Sequence, residues 1–204
     1  MIQIDNHEIL KSSVSTLRET SVNNHDGTNI YLTESTISVV NFDSVKDQYV
    51  RNLSEPIPES PKSNDALFVD NNGEMFFIEF KAGRVEHNKI HQIRLKLFDS
   101  LLMLTDIIDK TVTYTRKHLN YILVYDENLN PISANGSAFQ DSPSRALISS
   151  YFYHNRGKQE YIRFNLGRFQ NLYVKQVFTL SIDDFEVRFV QEWERAADLS
   201  ADRA

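Results

Sequence analysis

Two apolar runs in this chain carry charged residues where strands bound for a core want none. In NDALFVDNNGEMFFIEFKAG, residues 64 to 83, Asp65 opens the first run, and Glu79 and Lys81 interrupt the second. Strand alternation points Glu79 and Lys81 to the same side. The tight-turn signal Asn71-Asn72-Gly73 folds the two runs into an antiparallel hairpin that brings Asp65 to that side too. Two carboxylates converging with a lysine make a seat for a hard divalent cation with oxygen ligands, with room for waters and a phosphate. The backbone carbonyl of Phe80 can add another oxygen. There the metal acidifies a bound water and offsets phosphate charge, while the lysine orients that water and stabilises the developing negative charge. That is equipment for phosphodiester hydrolysis.

A bare Glu-x-Lys on a strand is most often a solvated face, so its neighbours have to decide. Phe76, Phe77, Ile78 and Phe80 are apolar at both strand parities, which marks a central strand. A charged pair inside such a strand is costly to bury unless it is partnered or a cleft opens there. Asp70 and Glu74 border the turn and are set aside as turn-flanking residues.

The elements that must position this cluster are legible by period and punctuation. His7, Leu10, Val14 and Leu17 share a helical face and predict a short N-terminal helix over 7–19. NIYLTESTISVVNF reads as one long strand or a hairpin broken near Glu34 and Ser35, and DSVKDQYVRNL returns to helical spacing. Pro56, Pro58 and Pro61 hold the approach to Asp65 extended. After the hairpin, Ile90, Ile93, Leu97, Leu101, Leu104 and Ile108 predict the longest helix, between Glu86 and Asp109. NYILVY, residues 120–125, reads as a mid-sheet strand. SRALISSYFYH suggests a further helix. NLYVKQVFTLS reads as a strand, and Ser181 with Asp184 opens a helix with Phe185, Phe189 and Trp193 on one core-facing side.

In this order, SNDALFVDNNGEMFFIEFKAG followed by a helix resembles the core of the PD-(D/E)XK nuclease superfamily, the restriction-endonuclease-like fold. The similarity runs over roughly residues 44 to 126. PKSNDALF and IEFK are also similar to segments of uncharacterised bacterial members. The resemblance implies an α/β fold with a mixed central sheet flanked by helices, in one domain over 1–204. Its nuclease-like core would lie at about 30–126, with a strand and helix from 170–198 packed on it. It further implies a magnesium- or manganese-dependent endonuclease acting on DNA more often than RNA. Asp65, Glu79 and the Phe80 carbonyl would hold the metal, and Lys81 would be the catalytic lysine. Many members place a Glu from the first helix in the site; Glu8, Glu34, Glu55 and Glu59 are all available. Gln92, Arg94 and Lys96 on the long helix are candidates for substrate contact, although Arg94 and Lys96, two apart, cannot face the same way. Many small members pair to cut two strands, so a homodimer is among the expectations. The alternative is an inactive relative using the same cleft to bind nucleic acid or a protein.

Other features are blander. His87 and His91 lie four apart but lack the carboxylates of a zincin, so they stay outside the metal set. Tyr151, Phe152 and Tyr153 could stack on bases or pack locally. Arg156, Lys158, Arg163 and Arg168 make either a phosphate-facing wall or a solvated face. At 204 residues and 41% hydrophobic, the chain can bury a sizeable core. A formal charge of −6 argues against a strongly basic nucleic-acid coat without excluding a local groove. The absence of cysteine removes disulfides, zinc ribbons and thiol catalysis. With no signal-peptide pattern and no membrane-length apolar window, a soluble cytoplasmic protein is expected.

Overall fold

A computed structural model describes residues 3–25, 28–131 and 162–201. The expected helix in SRALISSYFYH, the aromatics Tyr151 to Tyr153, Arg156 and Lys158 lie outside the described residues. The architecture is α/β: a mixed six-stranded sheet with helices on both faces. The strands are β1 (Val14–Thr16), β4 (Ser38–Asn41), β5 (Ala66–Val69), β6 (Met75–Lys81), β7 (Leu119–Tyr125) and β8 (Gln176–Ser181), side by side in that order. β2 (Val22–His25) and β3 (Thr28–Tyr31) form a separate hairpin. From β1 to β6 neighbouring strands are antiparallel, whereas β6, β7 and β8 run parallel.

The β5–β6 hairpin forms as its turn chemistry requires. Gly73 takes φ 78°, a region that favours glycine, and its N–H donates to the Asp70 carbonyl at 3.0 Å. Asp70 Oδ1 accepts from the N–H groups of Asn72 and Glu74, closing the loop from inside. Beyond it, α4 (His87–Ile107) and α5 (Val112–His118) carry the chain back so that β7 lies parallel to β6, the βαβ connection a parallel pair needs. Every residue of β7 is buried, Asn120 included, as its largely apolar run foretells.

Strand alternation divides the core. One face of the sheet packs Leu67, Met75, Phe77 and Tyr121 against α3 (Phe42–Arg51) and the apolar stripe of α4, Ile93, Leu97, Leu101 and Leu104. The other face packs Ala66, Ile78, Phe80, Ile122 and Val124 against Phe185, Val190 and Trp193 of the C-terminal helical run. That run begins at α6 (Ile182–Phe185), where Ser181 accepts from the Asp184 N–H as expected, and continues to α7 (Gln191–Ala201). Five residues of π-helix, Glu186–Val190, lie between the two.

The N-terminus departs from its predicted single helix. Only Glu8–Lys11 (α1) and Leu17–Thr20 (α2) are helical, with β1 between them. The hydroxyls of Ser12 and Ser13 donate back to the carbonyls of Glu8 and Ile9 at 2.8 Å each. This local competition with the backbone ladder ends the helix and leaves Val14 half exposed on an edge strand. Thus the sheet begins well before residue 30. NIYLTESTISVVNF breaks where Glu34 and Ser35 suggested, but its halves join different sheets. The predicted strand NLYVKQVFTLS begins only at Gln176; Gly167–Phe169 is a 3-10 turn and Asn171 has φ 60°. Among the described residues no helix is long and apolar enough to cross a membrane.

Candidate active site

Ala66 pairs with Ile78 across the hairpin, where the ladder ends, and Asp65 is the residue just before that pair. The Asp65 N–H donates to the Ile78 carbonyl at 3.2 Å, and Asp65 Oδ2 accepts from the Phe80 N–H at 2.7 Å. Asp65 is thus fixed to β6 by backbone and side chain alike. Two carboxylates brought this close repel, so the pair needs cations.

Two lysines supply them. Lys81 Nζ lies 2.5 Å from Glu79 Oε1. Lys96, from the third turn of α4, places Nζ 2.7 Å from the same oxygen and 2.9 Å from Asp65 Oδ1. The resemblance makes Lys96 one of three helix residues for substrate contact; α4 instead places it at the centre of the cluster. Gln92 is exposed, and Arg94 points away, donating to the Asn165 carbonyl at 3.3 Å.

The helix also holds the approach to Asp65. Asp99 accepts from the Lys62 N–H and Ser100 Oγ from the Asn64 N–H, both at 2.8 Å. Lys96, Asp99 and Ser100 stand at spacings of three and four on one helical face. Ser63 donates to Asp43, which ties the same segment to α3. The segment before Asp65, extended by its prolines, is therefore stitched between two helices.

Glu79 is fully buried. Burial, and then the Asp65 charge, push its pKa up, while Lys81 and Lys96 pull it back, leaving it at about 7. Burial works to lower the pKa of Lys96, but Glu79 and Asp65 overcome this and hold it above its ordinary value. Lys96 therefore stays charged. Glu79 Oε2 is buried and accepts no hydrogen bond. On the same face, Tyr121 is fully buried with an unpartnered hydroxyl, its pKa raised by burial and by the charges of Glu79 and Asp65. The cluster thus holds an acceptor lacking a donor and a donor lacking an acceptor, an unusual cost for a merely structural ion pair. Tyr121 escapes a reading of the sequence because it sits inside an apolar strand and looks like core.

At the far end of β6, Glu74 is more than a turn-flanking residue. Lys175 Nζ lies 2.6 Å from it, with His118 Nδ1 at 3.5 Å. Burial tends to raise its pKa, but Lys175, Asn120 and His118 together bring it below the usual carboxylate value. This pair is half solvated and satisfied. Glu79 within β6 and Glu74 just before it are thus driven in opposite directions, and of the two only Glu79 keeps an oxygen without a partner.

None of the four glutamates considered as an outer ligand joins the cluster. Glu34 pairs with Arg18 at 2.7 Å, and among the described residues no three His, Asp or Glu side chains converge as a metal group. His87 and His91 are exposed on α4. Arg163 is buried, donates to the Asn130 carbonyl at 2.7 Å and packs its guanidinium over Tyr125 and Phe164. It therefore belongs to the core and not to a phosphate-facing wall.

No family model matches the chain, and no curated protein or solved structure matches it either.

Proposed function

We propose that this chain is a metal-dependent nuclease with a restriction-endonuclease-like core, hydrolysing phosphodiester bonds. The observation that carries the reading is the convergence of Asp65, Glu79 and Lys81 at one end of a central strand, with Glu79 fully buried and its Oε2 open. The order helix, antiparallel hairpin, long helix, parallel strand also supports it.

The donors fit magnesium or manganese. Asp65, Glu79 and the Phe80 carbonyl are hard oxygen donors, and one or two carboxylates with waters and substrate phosphate suffice for magnesium. In antiparallel pairing a residue's N–H and C=O leave the same strand edge; since the Phe80 N–H faces Asp65, its carbonyl does too. A bound ion would supply Lewis acidity to a phosphate oxygen and make a water more acidic. Asp65 and Glu79 hold the site's negative charge in place. Lys81, on the strand and in contact with Glu79, positions an ammonium to orient the attacking water and offset charge developing on the phosphate.

The test is incubation with single- and double-stranded DNA and RNA in magnesium or manganese, comparing the parent with Glu79→Ala and Lys81→Ala. Each substitution should lower the cleavage rate by about 100-fold or more, with the fold retained by circular dichroism. If Lys81→Ala cuts as fast as the parent, the assignment fails. DNA is the first substrate to try, and a homodimer suits cleavage of two strands.

One observation favours the second reading, an inactive module that binds nucleic acid or a protein. Lys96 and Lys81 already balance the charges of Asp65 and Glu79 without a metal. Calorimetry with manganese separates the two: metal uptake that vanishes in Glu79→Ala supports the nuclease, and no uptake supports the module.

A further inference from the structure

We infer that Lys96 is the resident counterion of the carboxylate pair and that a divalent cation must displace it to bind. This rests on the metal-dependent reading of the site. The Lys96 ammonium lies 2.9 Å from Asp65 Oδ1 and 2.7 Å from Glu79 Oε1, so it bridges the two carboxylates that would hold a metal. A hard cation sits about 2.0–2.6 Å from its oxygen ligands. An ammonium in contact with those oxygens would then lie within a few ångströms of the ion, where like charges in a partly desolvated site repel strongly.

The two lysines differ in what they can do about this. Lys81 touches Glu79 alone and rises from the strand beside it. It can keep its place beside Glu79 while Lys96 leaves. Lys96 holds both carboxylates at once and reaches them from a different element, α4, on a long unbranched side chain that is 22% exposed. Its flexible stem lets the ammonium leave toward solvent. Once released, the positive charge stays at the rim of the site, where an incoming phosphate would offset it. Lys96 therefore couples the two ligands: it lowers affinity for the metal alone and recovers that loss when an anionic substrate arrives. Competition for one set of oxygens is reciprocal, so metal binding must loosen Lys96 as much as Lys96 weakens the metal.

The probe is Mn2+ alone, titrated by calorimetry into the full chain in its parent, Lys96→Met and Glu79→Ala forms. Met keeps the length of the side chain and removes its charge. Lys96→Met should bind Mn2+ about tenfold tighter than the parent, and Glu79→Ala should not bind it. In parallel, acetylation of Lys96 in the parent, followed by mass spectrometry, should speed up on adding Mn2+, while Lys175 at the far end of the sheet reacts at an unchanged rate. If the parent binds Mn2+ through Glu79 but Lys96→Met binds it equally or more weakly, the displacement idea is overturned and the metal site stands. If the parent binds no Mn2+, the metal reading falls and the displacement idea with it. Should Lys96→Met fail to fold, labelling of the parent decides, and a Lys96 rate unmoved by Mn2+ overturns the proposal.

Discussion

Glu79 concentrates the physical tension of the site. Its carboxyl is fully buried, shares Lys96 with Asp65 and divides one oxygen between two ammoniums. Its pKa of about 7, against an ordinary 4.5, has a defined consequence for folding. Below about pH 4.5 the carboxyl is protonated in both folded and unfolded chains and costs nothing. Between 4.5 and 7 the unfolded chain gives up the proton while the folded chain keeps it, so stability falls as pH rises through this window. The loss is of order 3 kcal/mol if the whole shift is expressed. Denaturant titrations in a chelator at pH 4.5, 6 and 7.5 should show this decline, and Glu79→Gln, which cannot ionise, should flatten it. A Glu79→Gln chain with the same pH slope as the parent would place the effect elsewhere.

At the scale of elements, α4 is the part that makes the hairpin into a site. Its apolar stripe seals one face of the sheet, and its adjoining face presents Lys96, Asp99 and Ser100 to the segment that delivers Asp65. Ser100 is fully buried, and its hydroxyl accepts from the Asn64 N–H. Ser100→Ala would strand that donor at a cost of about 1–3 kcal/mol. A lower denaturation midpoint with an unchanged m-value is the expected sign. Under the nuclease reading, cleavage should fall as well, because Asp65 loses its splint. A midpoint unmoved within 0.5 kcal/mol would mean that the prolines alone hold this segment.

Across the whole molecule, the site strand is clamped from both sides. Glu79 and Lys81 face α4, while Phe76, Ile78 and Phe80 face the aromatic cluster of the C-terminal helices. There Phe185 meets Phe80 at 5.8 Å and Trp193 at 6.0 Å, and Trp193 lies tilted against Phe68 at 4.1 Å. Trp193 is the chain's one tryptophan, so its fluorescence reports on this layer alone. Phe185→Ala should cost about 3–5 kcal/mol, with Trp193 fluorescence and far-UV circular dichroism still unfolding together. If fluorescence changes well before the dichroism, the C-terminal helices melt as a separate unit and do not brace the site strand.

The sequence by itself determined the hairpin, its turn, the long helix, the buried mid-sheet strand and the convergence of Asp65, Glu79 and Lys81. These follow from local rules: alternation, helical period, and the preference of glycine for positive φ. The single N-terminal helix that the spacing predicts does not form, because Ser12 and Ser13 hydroxyls bond back to the carbonyls of Glu8 and Ile9, a choice that hydrophobic spacing does not encode. Only the tertiary structure decided that Lys96 joins the carboxylates while Arg94 does not, since the roll of α4 on the sheet is set by packing along the whole of its apolar stripe. It likewise decided that Tyr121 leaves a hydroxyl unpartnered beside the site, and that Glu74 is satisfied where Glu79 is not. Which charges meet across elements depends on how layers dock, and docking is a property of the complete core and not of any one stretch of residues.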